Sequence, residues 1–486
     1  MSGKVTLEKL STGVPGLDVL LGGGLTEFSF TLIAGAPGSG KTTLAHQIMF
    51  ALANPQRRAL FFTVLGEPPL KMLRYQQQFA FFDMDKVGPS IRYVNLADDL
   101  RAGDFCGVLE RIMREVEDFG PSLVFVDSFR SVVQTAKSGN EGLWDLQHFI
   151  QELGSRMATW QATTFLIGEY NQTDVEANPI ITVADGMLAL SHNQDEDAVV
   201  RKIRIIKMRG QAHMAGAHTL RITDDGIRIY PRLLTPLPEA YETISTDPQR
   251  VSTGVAGLDE MLHGGVPQGH TMLVSGPTGI GKTILGTQFL AAGAAQGEKG
   301  VALYFEKHTA RLHNAELVRM VQAGQVTVLE SLSLSLSVEE VMDQLLEAIE
   351  RTGATRVVID SLSEIGLYLA PEFRYDLRLA VFRTLAMLAR RGVTAIVTVG
   401  YEDNAPNWRF SSDNLCFLAD AVLTMRFAEV EGHVCKFMTV VKVRGTSHSN
   451  QLREYRITDQ GLDVAPHAAN LDALMTGYPT RREPHK

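Results

Sequence analysis

The pattern G-x-x-x-x-G-K-[ST] occurs twice in this 486-residue chain. The first copy is Gly35, Ala36, Pro37, Gly38, Ser39, Gly40, Lys41, Thr42 and Thr43. The second is Gly276, Pro277, Thr278, Gly279, Ile280, Gly281, Lys282, Thr283 and Ile284. Few patterns constrain a fold more. An apolar strand must run into the loop and a helix must start within it. Its glycines must let backbone N–H groups converge on phosphate. Both copies have that setting. TLIAG and MLVSG lead in, and LAHQIMFALA and LGTQFLAAGAA read as the helices that follow.

The two loops belong to a longer duplication. STGVPGLDVLLGGGL (residues 11–25) and STGVAGLDEMLHGGV (252–266) stand 241 positions apart, as do Lys41 and Lys282. IKMRGQAH (206–213) matches VKVRGTSH (441–448), and RITDDG (221–226) matches RITDQG (456–461), both at an offset of 235. Matches in one order describe a single domain present twice. The expected boundaries are a first domain at 1–235, a linker at 236–250, a second domain at 251–470 and a short polar tail at 471–486. Four prolines between residues 231 and 250 mark the linker. The tail is expected to lack fixed structure.

Each half alternates short apolar runs with helical stretches. ALFFTVLG and VALYFE, LVFVDS and VVIDS, TTFLIG and AIVTVG are the paired runs. Buried strands spaced by helices predict an α/β fold with a mainly parallel central sheet in each half.

Composition narrows the function. A net charge of −9 argues against a standing duplex-DNA binder, so nucleic acid is not an expected partner. Cys106, Cys416 and Cys435 show no C-x-x-C spacing, which excludes a zinc ribbon or a disulfide framework. The start, MSGKVTLEKL, has no apolar signal core, and no apolar run is long enough to span a bilayer. A cytoplasmic protein without a membrane partner is expected.

The motifs assign chemistry to residues. Lys41 and Lys282 would contact the β- and γ-phosphates of ATP, and the Thr42 and Thr283 hydroxyls would ligate Mg2+. Asp127 and Asp360 each end an apolar run before a serine. That is the place of a Walker B carboxylate, the second protein group beside the metal. Hydrolysis also needs a group that orients the attacking water. Glu67 and Glu306, just after the second strand of each half, are the candidates. Lys207 with Arg209, and Lys442 with Arg444, alternate along a strand and so share a face. Such a cation pair suits a phosphate clamp supplied by a neighbouring subunit.

With the duplicated loops, the GLDxxLxGG before each, the Asp-Ser pairs and the K-x-R-G stretches in view, the chain resembles the KaiC family of RecA-like ATPases over nearly its whole length. The resemblance implies two tandem RecA-like P-loop NTPase domains in a two-tiered homo-hexameric ring. ATP and Mg2+ would sit at subunit interfaces, with the K-x-R-G cations acting across them. In circadian members the first tier is a slow ATPase, and the second also phosphorylates itself on a Ser-Thr pair and removes those phosphates.

The chain departs from the family at several positions. The family's paired glutamates read Gly66-Glu67 and Glu306-Lys307 here, so each half keeps one of two. The phosphoacceptor positions read Cys416 and Phe417, leaving Ser411 and Ser412 as the nearby hydroxyls. The short tail is expected to leave out KaiA, so a KaiB-like or other signalling protein is the expected partner. The expected function is an ATP-binding and ATP-hydrolysing hexameric switch. The rivals are a serine/threonine autokinase with non-standard acceptors, a RecA-like DNA-dependent ATPase, and a nucleotide-binding scaffold with little turnover.

Overall fold

The computed structural model describes residues 8–63, 69–97, 105–127, 151–157, 159–169, 183–195, 198–232, 249–305, 314–330, 337–363, 365, 377–400, 418–468, 471–472 and 480–481. The chain divides into two compact units, Met1–Arg232 and Leu233–Lys486.

The first unit contains β1 (Phe30–Gly35), α1 (Lys41–Leu52), β2 (Ala59–Thr63), β3 (Ile91–Asn95), α2 (Phe105–Phe119), β4 (Leu123–Asp127) and β5 (Thr163–Glu169). It continues with β6 (Gly186–Asp195), β7 (Ala198–Met208), β8 (Ala217–Thr223) and β9 (Gly226–Tyr230). These nine strands form one sheet in the order β3-β2-β4-β5-β1-β6-β7-β8-β9. Pairing is parallel from β3 to β6 and antiparallel from β6 to β9.

The second unit contains β10 (Thr271–Ser275), α3 (Lys282–Ala295), β11 (Gly300–Tyr304), β12 (Val326–Glu330), α4 (Val338–Thr352) and β13 (Arg356–Asp360). After these come α5 (Leu377–Arg390), β14 (Thr394–Val399), β15 (Ala421–Val430), β16 (His433–Val443), β17 (Arg453–Thr458) and β18 (Gly461–Val464). Its sheet repeats the first one strand for strand, from β12-β11-β13-β14-β10 to β15-β16-β17-β18. Both halves are therefore RecA-like α/β units with a mainly parallel sheet.

Every residue of β1, β2 and β4 is buried, as a strand covered on both faces requires. Alternate residues serve opposite layers. Phe61, Phe125 and Phe165 pack with Leu44 and Ile48 of α1, while Leu60, Phe62 and Val124 pack with Ile112 and Val116 of α2. The antiparallel end reads differently, because it is covered on one face. On β7, Ile203 and Ile205 are buried, and Arg204 and Ile206 between and after them are exposed.

The GLDxxL stretch is a structural clasp. Asp18 accepts the Thr12 N–H at 2.8 Å and hydroxyl at 2.7 Å, and the Ser11 hydroxyl at 2.5 Å. Asp259 repeats this on Thr253, at 2.8 and 2.6 Å, and on Ser252, at 2.6 Å. The tail departs from expectation: Leu471–Asp472 pairs antiparallel with Thr480–Arg481 through backbone hydrogen bonds.

Candidate nucleotide sites

The loop geometry follows from two glycines. Gly40, just before α1, has φ 102°, and Gly281, just before α3, has φ 112°. Both lie in the left-handed region that side chains avoid. A Cβ on Gly40 would also stand 2.9 Å from Ile222, and one on Gly281 3.2 Å from Leu462. These residues let the loop turn sharply into a helix whose first N–H groups stay open to an anion.

The lysines rest on their own loops. Lys41 Nζ donates to the Ala36 carbonyl at 2.9 Å; Lys282 Nζ donates to those of Gly276 and Pro277 at 2.8 and 2.9 Å. Burial depresses the Lys41 pKa, opposed by the charges of Glu169 and Asp127.

Each predicted metal pair is assembled. Thr42 Oγ1 donates to Asp127 Oδ2 at 2.7 Å, and Thr283 Oγ1 to Asp360 Oδ2 at 2.6 Å. A hydroxyl and a buried carboxylate are hard oxygen donors, the set that suits Mg2+. Asp127 and Asp360 are 9% and 8% exposed. Burial pushes the Asp127 pKa up to about 6; the Thr42 hydroxyl and Lys41 oppose this, and Glu169 reinforces it.

The two sites differ in a way the motifs do not show. Asp360 also accepts a hydrogen bond from Thr398 on β14. In the first unit the residue paired with Asp127 across the strands is Ile167, whose side chain has no donor. Two residues further along β5, Glu169 pairs in register with Gly35. It lines a cavity of about 340 Å3 with Gly38, Lys41, Thr42, Thr63 and Asp127. Gly400 stands at the corresponding place in the second unit, just beyond β14.

A second difference lies beneath the first P-loop. His46, fully buried on α1, donates from Nδ1 to the Thr42 carbonyl at 2.7 Å. Its ring lies 4.4 Å from Phe61 and 6.1 Å from Tyr93, and burial drops its pKa to about 4. Thr287 occupies this position in the second unit and donates to the Thr283 carbonyl at 3.0 Å.

The K-x-R-G cations are not brought to the loop of their own unit. Met208, between Lys207 and Arg209, pairs with Gly186, which pairs with Thr31 at the start of β1. Gly35 is four residues further along, about 13 Å at the usual strand rise. The side chains are held in place there. Arg209 bonds Asp185 at 3.2 Å, and Asp185 also accepts the Phe30 N–H at 3.0 Å. Arg444 and Asp420 repeat this at 3.4 Å, with Asp420 accepting the Thr271 N–H at 3.1 Å. Lys207 and Lys442 are half-buried on the neighbouring position.

Glu67, Glu306, Ser411, Ser412, Cys416 and Phe417 lie outside the described residues. Sequence reasoning missed Glu169, Thr398 and Asp185. An Ala-Asp pair, 184–185 and 419–420, was the available signal for the last.

The strand order and the loops define a tandem RecA-like P-loop protein. The family model described as "ATPase: KaiC" matches residues 10–233 and again 251–469. The chain belongs to the KaiC family of ATPases, with two tandem copies of the family's domain. It is 26% identical to the circadian clock oscillator protein KaiC of Picosynechococcus sp., over 98% of this chain and 93% of that one. It is also 26% identical to KaiC 1 of Synechocystis sp., over 98% and 92%. The Prochlorococcus marinus KaiC is 25% identical over 98% and 95%. Among the described residues no helix is long and apolar enough to cross a membrane.

Proposed function

We propose that the protein hydrolyses Mg-ATP in both units as a homo-hexamer, with each nucleotide held between subunits. The carrying observation is the hydroxyl–carboxylate pair beside each P-loop lysine, Thr42–Asp127 and Thr283–Asp360. Lys41 and Lys282 would leave their loop carbonyls for the phosphates. Thr42 with Asp127, and Thr283 with Asp360, would hold Mg2+, which neutralises charge on the β- and γ-oxygens when bound. Glu67 and Glu306 would orient water.

The placement of Lys207/Arg209 and Lys442/Arg444 at the far end of each sheet supports their action on another subunit's nucleotide. The domain limits 1–235 and 251–470 follow the repeat. A KaiB-like or other signalling protein is the proposed reader of the nucleotide state.

The test uses ATP labelled on the γ-phosphate, with Lys41→Ala and Lys282→Ala variants. Label released as free phosphate, and reduced by each substitution, supports two hydrolytic sites. Label retained on the protein and lost in Lys282→Ala would instead establish an autokinase. Sedimentation with and without Mg-ATP measures the assembly.

A further inference from the structure

We infer that Glu169 is a second catalytic carboxylate of the first site, one that binds the attacking water and takes its proton. The inference rests on the proposed hydrolysis at that site. Its basis is the sheet order. Strand β5 lies between β1, which feeds the P-loop, and β4, which ends at Asp127. Its last residue therefore emerges between the phosphate-binding lysine and the metal-binding carboxylate.

Glu169 lines the same cavity as both, and its charge acts on both. A carboxylate so placed would face the terminal phosphate of an ATP held by Lys41 and Thr42, where water must approach in line. The second unit carries Gly400 at this position, so among the described residues the carboxylate at the end of this strand occurs in the first unit. The first half also lacks the first glutamate of the family's pair, having Gly66 instead; Glu169 restores a second carboxylate by another route.

The step balances without a further reactant. The water oxygen forms a bond to the γ-phosphorus. The bond from that phosphorus to the β–γ bridging oxygen breaks, and its electron pair stays on ADP. One water proton passes to the Glu169 carboxylate, and inorganic phosphate leaves.

The test is made in full-length protein carrying Lys282→Ala, so that only the first site turns over. Glu169→Gln keeps size and removes the proton acceptor. The expected result is a kcat lower by about 100-fold, with the affinity for a fluorescent ATP analogue held within about threefold. Glu169→Asp should recover part of the rate. An unchanged kcat in Glu169→Gln overturns the inference. So does a parallel loss of affinity and rate, which would make Glu169 a holder of Lys41. Lys41→Ala in the same background separates the two readings. If that variant leaves the rate unchanged, hydrolysis at the first site itself is wrong.

Discussion

Arg209 donates to Asp185 across 3.2 Å, and the same carboxylate caps the Phe30 N–H at the start of the P-loop strand. One aspartate thus aims an outward cation and anchors the strand that carries the unit's own phosphate loop. The pair is largely solvent-exposed, at 55% and 37%, so its direct contribution to stability is under about 1 kcal/mol. Asp185→Asn keeps an acceptor for Phe30 and removes the charge that holds Arg209. The expected outcome is an unchanged denaturation midpoint with a several-fold slower phosphate release in a Lys282→Ala background. A large fall in the midpoint would show that the pair is structural instead.

The hydroxyl of Thr398 gives Asp360 a second partner, where Asp127 has the side chain of Ile167 across the strands. Thr398→Ile copies the first unit. Loss of a buried hydrogen bond to a charged group costs about 1–3 kcal/mol. In a Lys41→Ala background, the Mg2+ concentration for half-maximal turnover should rise roughly tenfold, the equivalent of about 1.4 kcal/mol. An unchanged Mg2+ requirement would show that Thr283 alone suffices to hold the carboxylate.

Phe28 and Gln161 adopt φ 59° and 54°, while the matching residues of the second unit are Gly269 and Gly392 at 77° and 68°. The first unit therefore holds two side chains in a backbone region that disfavours them by roughly 1–2 kcal/mol each. Both residues border the same open groove beside Trp160. Phe28 is 44% exposed, so little packing is lost on its removal. Phe28→Gly should stabilise the first unit by up to about 1 kcal/mol after the entropy that glycine adds to the unfolded chain, read as a higher denaturation midpoint. A lower midpoint would mean that the exposed ring packs more strongly than its surface suggests.

Acid should destabilise the first unit through His46. Its folded pKa, about 4, lies below the ordinary 6.5, so the folded ring stays neutral while the unfolded one takes a proton. Stability from this group is present above pH 6.5 and is lost as pH falls toward 4, by roughly 3 kcal/mol in all. Asp127 acts in the opposite sense, since its folded pKa of about 6 favours the folded state as pH falls from 6 toward 4. His46→Thr, matching the second unit, should remove the destabilising slope and leave the opposite one. Denaturant midpoints across pH 4–7 measure the difference; identical slopes in the two proteins would rule out His46 as the cause.

The repeat, both P-loops and the strand-end positions of Asp127 and Asp360 beside them were legible because each rests on local sequence: a glycine pattern, or a carboxylate at the end of an apolar run. The parallel sheet was legible from β1, β2 and β4, which are apolar throughout. Glu169 was not. It ends a run that reads as a strand up to Gly168, and only the order β1-β5-β4 shows that this strand finishes between the two functional ones. Thr398 sits inside an apolar run, and its partner lies on another strand. The strain at Phe28 was visible only as a Phe-for-Gly exchange between repeats, which carries no conformational meaning until φ is known.

The distance between each P-loop and its own K-x-R-G pair has a genetic consequence. In the proposed ring, a subunit lacking Arg209 would keep a sound loop and cripple its neighbour's. Mixed with normal chains, such a variant would act dominantly. Mixed with Lys41→Ala chains, both in a Lys282→Ala background, it would leave some interfaces with both defects and others with neither, so two proteins each inactive in the first ring would regain activity together.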